Sequence, residues 1–203
     1  MEIIMTAKTV AVMLLVAALP ITQGCVGRAI SEGIEKTLGP TARVLSMEPK
    51  WAEKDSRFLA AYRNFELAMP IKSQFSDTPD KFMEYLPIKF NEQLVSKGLP
   101  TDKAGKTLEV NVTILAYQPA ASYQKALGPT EEVVALVELG DKDSGKLIGK
   151  AICIGRTYQS VGLGPKWKAW GLSRAIVDKW ISEYYPKEGR KETKETVPPA
   201  DND

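Results

Sequence analysis

The sequence predicts an α+β domain in two layers. It should hold a mostly antiparallel sheet of about four strands, in the element order β-α-β-β-β-α, with two helices packed on one face. Three observations carry this. Two segments repeat large apolar residues every four positions, Phe82, Leu86, Phe90 and Leu94 in one and Leu172, Ile176, Trp180 and Tyr184 in the other, which marks one face of a helix. Between them Leu108, Val110, Val112 and Ile114 alternate with Glu109, Asn111 and Thr113, the period of a half-buried strand. Two further β-rich runs follow, joined by a turn-forming linker, so the last three strands read as an antiparallel meander.

Taken in order, residues 57–67 (RFLAAYRNFEL) carry Phe58, Tyr62 and Phe65 and read as the first strand. Thr78-Pro79-Asp80 has the form of a helix start, with a capping Thr and Pro at the first helical position. The helix should run over 80–97, with Pro87 kinking or dividing it and Gly98 and Pro100 ending it. The alternating strand covers 106–118. A loop with Pro119 and Gly128-Pro129 leads to the β-branched run 131–139. Asp141-Lys142-Asp143-Ser144-Gly145 supplies hairpin-turn chemistry, and 147–158 returns as a strand. In it Cys153 shares a face with Ala151 and Gly155, opposite Ile152 and Ile154, as a small packed residue would. The final helix begins near Pro165 and stops at Pro186.

Composition narrows the function classes. The 203 residues are 44% hydrophobic and 26% charged, an ordinary globular mixture. There is no histidine, so imidazole-activated nucleophiles and His-ligated metals are excluded. Two cysteines cannot build a disulfide scaffold or a zinc ribbon, and a formal charge of +2 is too small for a nucleic-acid footprint. The domain reads as 57–186. Residues 25–56, with Gly, Pro and mixed charges and a short helix over 31–37, read as a tether. Residues 187–203 (KEGRKETKETVPPADND) lack apolar periodicity and read as a disordered polar tail.

The first 25 residues carry an address. Lys8 precedes an eleven-residue apolar run, 9–19, that is too short to span a bilayer and is closed by Pro20. A basic start, a short apolar middle and a small-residue exit are the parts of a secretory signal peptide, over 1–24. Starting at Met5 would leave no acidic residue before the run. The step Thr22-Gln23-Gly24-Cys25 resembles the bacterial lipoprotein box, in which the cysteine is acylated and becomes the amino terminus. The resemblance implies a lipid anchor on Cys25, since two or more acyl chains hold a protein on a membrane stably. Val26, rather than Asp, follows the cysteine, which in Gram-negative lipoproteins implies transfer to the outer membrane. The element layout, the DKDSGKLIGKA hairpin and the Gly162-Leu163-Gly164 turn resemble the bacterial lipoproteins grouped as domain of unknown function 4410, over 57–185. That resemblance implies an envelope lipoprotein and no activity.

Several constellations bear on chemistry. Gly162-Leu163-Gly164-Pro165 lacks the third glycine of a dinucleotide fingerprint and the Gly-Lys-Ser/Thr step of a P-loop, so it reads as a turn. Glu131, Glu132, Glu138, Asp141 and Asp143 could pair for acid–base work or hold a cation, yet a turn with solvated charges fits them better. Lys166, Trp167, Lys168 and Trp170 form an unusual basic–aromatic start to the last helix. They could touch lipid headgroups, glycan strands or a partner protein, or the two Trp could simply extend the core face. The expected function is a non-enzymatic, lipid-anchored cell-envelope protein whose domain faces the periplasm and binds an envelope protein or the cell wall. No catalytic, metal or cofactor site is expected. Alternatives are a carboxylate-based periplasmic hydrolase or transferase, or a small-ligand or lipid carrier.

Overall fold

The computed structural model describes residues 40–48, 59–74, 78–101, 105–118, 131–157, 164–188 and 190. The elements are β1 (Thr41–Glu48), β2 (Tyr62–Leu67), β3 (Lys72–Ser73), α1 (Asp80–Ser96), β4 (Lys106–Gln118), β5 (Glu131–Asp141), β6 (Leu147–Thr157) and α2 (Gly164–Val177), then a short 3-10 helix (Ile181–Tyr184). The class is α+β, as expected, but among the described residues the sheet has six strands rather than about four and is mixed. Its order is β1-β6-β5-β4-β2, with β3 also beside β4.

The meander β4-β5-β6 is antiparallel throughout, as the alternation and the hairpin chemistry predict. β2 and β3 instead run parallel to β4, one after the other along the same edge, separated by the cis Met69–Pro70 bond. Parallel neighbours need a crossover connection, and α1 supplies it between β2 and β4. β1 pairs antiparallel with β6 and closes the other edge. It lies inside the stretch read as tether, so the domain begins before residue 57. Its alternation is brief: Ala42 and Val44 turn inward while Thr41, Arg43 and Leu45 are exposed. Edge strands need only one sparse apolar face, which composition does not flag.

Boundaries also move. β2 starts at Tyr62, after a turn over 59–61 that buries Leu59. α1 carries through Pro87 without a break. Pro79, not Thr78, takes the N-cap position, with no side-chain capping bond. Thr78 Oγ1 instead shares a 2.7 Å hydrogen bond with Ser73 Oγ at the end of β3. Gly98 ends α1 as predicted, at φ 59°, while the Leu99 N–H donates to the Leu94 carbonyl. α2 stops at Val177, so Trp180 and Tyr184 lie in the following turn and 3-10 helix rather than on one continuous helix. Asp178, next after α2, is held by Lys97 at 2.8 Å, which ties the ends of the two helices together.

One apolar cluster fills the space between sheet and helices. Leu108, Val110, Val112 and Ile114 of β4 meet Val133, Ala135, Val137 and Leu139 of β5, all buried. Phe82, Leu86, Phe90 and Leu94 of α1 and Leu172, Ala175 and Ile176 of α2 close over them. Full burial of each Leu, Ile or Phe contributes roughly 1.5–3 kcal/mol. α2 lies over β6, β5 and β1. Its approach to β6 is set by glycine: a Cβ on Gly155 would sit 2.3 Å from the Leu172 backbone nitrogen and 2.6 Å from the Gly171 carbonyl carbon. Ala151 and Cys153, on the same side of β6, keep that contact shallow.

Candidate interaction surface and polar centres

The basic–aromatic segment opens α2, and the structure distributes its four residues differently. Trp167 and Trp170 are buried and meet at a tilt, ring centroids 4.9 Å apart at 53°. They form a cluster of their own, apart from the main core. By helical spacing they share a flank with Arg174, whose Nη1 donates to the Pro40 carbonyl at 2.7 Å where the chain enters β1. Trp167 Nε1 is buried with no acceptor among the described residues. Lys168 is buried too, its Nζ lying 4.2 Å from the centroid of the Tyr117 ring. Tyr117 in turn meets Phe82 edge-on at 5.3 Å. Lys166 alone of the four keeps partial exposure. The two Trp are thus interior, in line with the packing alternative although in a cluster apart from the main core, and Lys168 is interior with them, because α2 is covered on several sides and not along one stripe.

Cys25, the residues of the signal segment and most of the tether lie outside the described residues, as do Gly162, Leu163 and residues 191–203. The reading of 187–203 as a polar tail is corrected at its start. Arg190 donates to the carbonyls of Pro186 at 2.6 Å, Ser182 at 2.7 Å and Tyr185, and holds its guanidinium over the Tyr185 ring.

The acidic residues do not converge. Asp141 points inward and is buried, whereas Glu132 and Glu138 lie on the opposite sheet face. Glu132 pairs with Arg156. Glu138 sits across from Lys150 on one side and Asn111 on the other. Asp141 is fully engaged: its Oδ2 accepts from Lys106 Nζ at 2.5 Å and from the Tyr62 hydroxyl at 3.1 Å, and its Oδ1 from the Ser144 N–H at 3.0 Å. The Lys106 ammonium, with the Ser144 amide, holds the Asp141 carboxyl well below the usual carboxylate range. Burial first, and then the bond to Asp141, pushes the Tyr62 phenol up to about 12. Sequence reading placed Asp141 in a solvated turn and missed this centre. The available signal was a Tyr and a Lys at the starts of two successive strands on the β5 side of the hairpin, β4 next to β5 and β2 beyond it.

Cys153 is buried among the small residues under α2, and burial pushes its thiol up, which keeps it protonated and unreactive. No group of three or more potential metal ligands occurs among the described residues. No helix there is long and apolar enough to cross a membrane.

No family model matches the chain, and no curated protein matches it. Among solved structures, the chain is similar to a dodecamer of a single-site variant of PelC from Paraburkholderia phytofirmans, at 16% identity and a TM-score of 0.44, covering 71% of this chain and 97% of that one. A second PelC dodecamer from the same organism matches at 16% identity and 0.44, covering 71% of this chain and 96% of that one.

Proposed function

We propose that this chain is a lipid-anchored bacterial envelope protein of the kind grouped as domain of unknown function 4410. It is held on the periplasmic side of the outer membrane by acyl chains on Cys25. Its α+β domain binds or assembles with an envelope protein or the cell wall and performs no chemistry of its own. One observation carries the reading: a short apolar run behind Lys8 that ends in Gly24-Cys25 with Val26 following. The engagement of Asp141 by three donors and the separation of the other carboxylates favour a binding role over acid–base chemistry. Metabolic labelling with a palmitate analogue tests the anchor. Label is expected in the native chain and absent from Cys25→Ser, with the variant leaving the membrane fraction. Label that persists in Cys25→Ser removes the proposal.

A further inference from the structure

We propose that one end of the domain, made by the start of β1, the ends of β4 and β6 and the first turns of both helices, faces the bilayer and packs against anionic lipid headgroups. This rests on the Cys25 anchor proposed above. Register fixes which parts share that end. Thr41 lies opposite Arg156, Glu131 opposite Thr157, and Gln118 opposite Glu132. α2 starts shortly after β6 leaves this end. α1 starts shortly after β3, which runs parallel to β4 toward the same end. Both helices therefore run away from it, and the Lys97–Asp178 ion pair joins them at the opposite end.

Chain length supplies the direction. The Pro40 carbonyl is bonded to Arg174 of α2, so the point where the chain joins the domain is fixed to the folded body. Cys25 stands fifteen residues earlier, a reach of at most about 50 Å and far less for a relaxed chain. The 13 residues of β4 span about 43 Å, so the hairpin at 141–145 stands a full strand length farther from the anchor. Charge agrees with this. Arg43, Lys72 and Lys81 are exposed around the end and Lys166 is half-exposed in the acid-free first turn of α2, against exposed Asp80 and Glu84; at the start of β5 Glu132 is paired with Arg156, with Glu131 beside it, which leaves a small basic excess. The aligned amino-terminal ends of both helices add positive potential there.

Acylated protein in phosphatidylglycerol–phosphatidylethanolamine vesicles carrying a headgroup quencher tests the orientation. Fluorophore is attached to Gln74→Cys or to Asp143→Cys, both exposed positions, while buried Cys153 stays unlabelled. Gln74 follows β3 on the sheet edge opposite β1, so the tether alone does not bring it to the surface. Quenching at Gln74→Cys is expected to exceed that at Asp143→Cys at least threefold. The contrast should fall at least twofold in Lys72→Glu/Lys81→Glu or in neutral phosphatidylcholine vesicles. Equal or reversed quenching on vesicle-bound protein overturns the orientation and leaves the anchor standing. A contrast unchanged by charge reversal overturns the headgroup contact. Protein that does not float with vesicles overturns anchor and orientation together.

Discussion

Asp141 shows how much one side chain can organise. It stands at the last position of β5, where a carboxylate would ordinarily be solvated, yet it is buried and bonded to Tyr62 at the start of β2, Lys106 at the start of β4 and the hairpin backbone at Ser144. It therefore locks three chain segments distant in sequence. Tyr62→Phe removes one donor and leaves the other two, so it should cost about 1 kcal/mol, read as a lower urea midpoint. The pH dependence follows from the signs. Because the folded Asp141 carboxyl sits below its ordinary value, the unfolded chain takes up the proton first as the pH drops. The stabilisation is complete above about pH 5 and is lost as acid approaches the folded value. Asp141→Asn should therefore flatten the decline in unfolding free energy between pH 5 and pH 2 and lower the neutral plateau. The Tyr62 phenol, raised to about 12, works the other way: its contribution holds below pH 10 and disappears as pH rises from 10 to 12. An alkaline slope that survives in Tyr62→Phe would show that other groups cause it.

At the scale of elements, the contact between α2 and β6 decides how the two layers meet. The alternation of Ala151, Cys153 and Gly155 was legible because strand period alone assigns them one face. What they face was not legible, since nothing local says that Gly171 will arrive against Gly155. A methyl at Gly155 would overlap the Leu172 and Gly171 backbone, which cannot swing aside like a side-chain tip. Gly155→Ala should cost at least 1–3 kcal/mol, as overpacking does. Gly171→Ala meets its nearest atom at 3.1 Å and gains about 1 kcal/mol of helix propensity, so it should change stability much less. Parallel urea titrations would rank the two, and equal losses would contradict this account of the contact. α1 offers a stabilising counterpart. Pro87 sits in the eighth position of a 17-residue helix, beyond the turn where a missing N–H is harmless. Pro87→Ala should raise stability by about 1–3 kcal/mol, seen as a higher midpoint, if the restored bond to Met83 outweighs the packing that the half-buried ring provides.

For the whole molecule, the meander, the two helices and the inward faces of β4–β6 were legible because they rest on long runs with a clear period. The parallel placement of β2, the end of α2 and the membership of β1 were not, because each is decided by a distant partner. β1 illustrates this most sharply: TARVLSME is too short and too polar to announce itself, and it becomes a strand only because β6 presents a free edge from Lys150 to Arg156. The interior position of Trp167, Lys168 and Trp170 has the same origin, since the start of α2 is enclosed from sides that its own periodicity does not report. Ordering β1 also fixes Pro40 against Arg174 and so sets where the tether leaves the body. Removing it must then do more than shorten a linker. A chain that begins at Arg57 would leave the outer edge of β6 unpaired from Lys150 to Arg156 and uncover the inward side chains that Ala42 and Val44 cover. Bare strand edges recruit other chains, so this shortened protein should elute as aggregates and unfold at a clearly lower urea concentration. A chain that begins at Gly39 should match the stability of the longer protein. Size-exclusion chromatography and urea unfolding of the two decide the matter: equal stability and a monodisperse peak for the Arg57 chain would mean that β1 is an appendage and that the domain does begin where composition suggests.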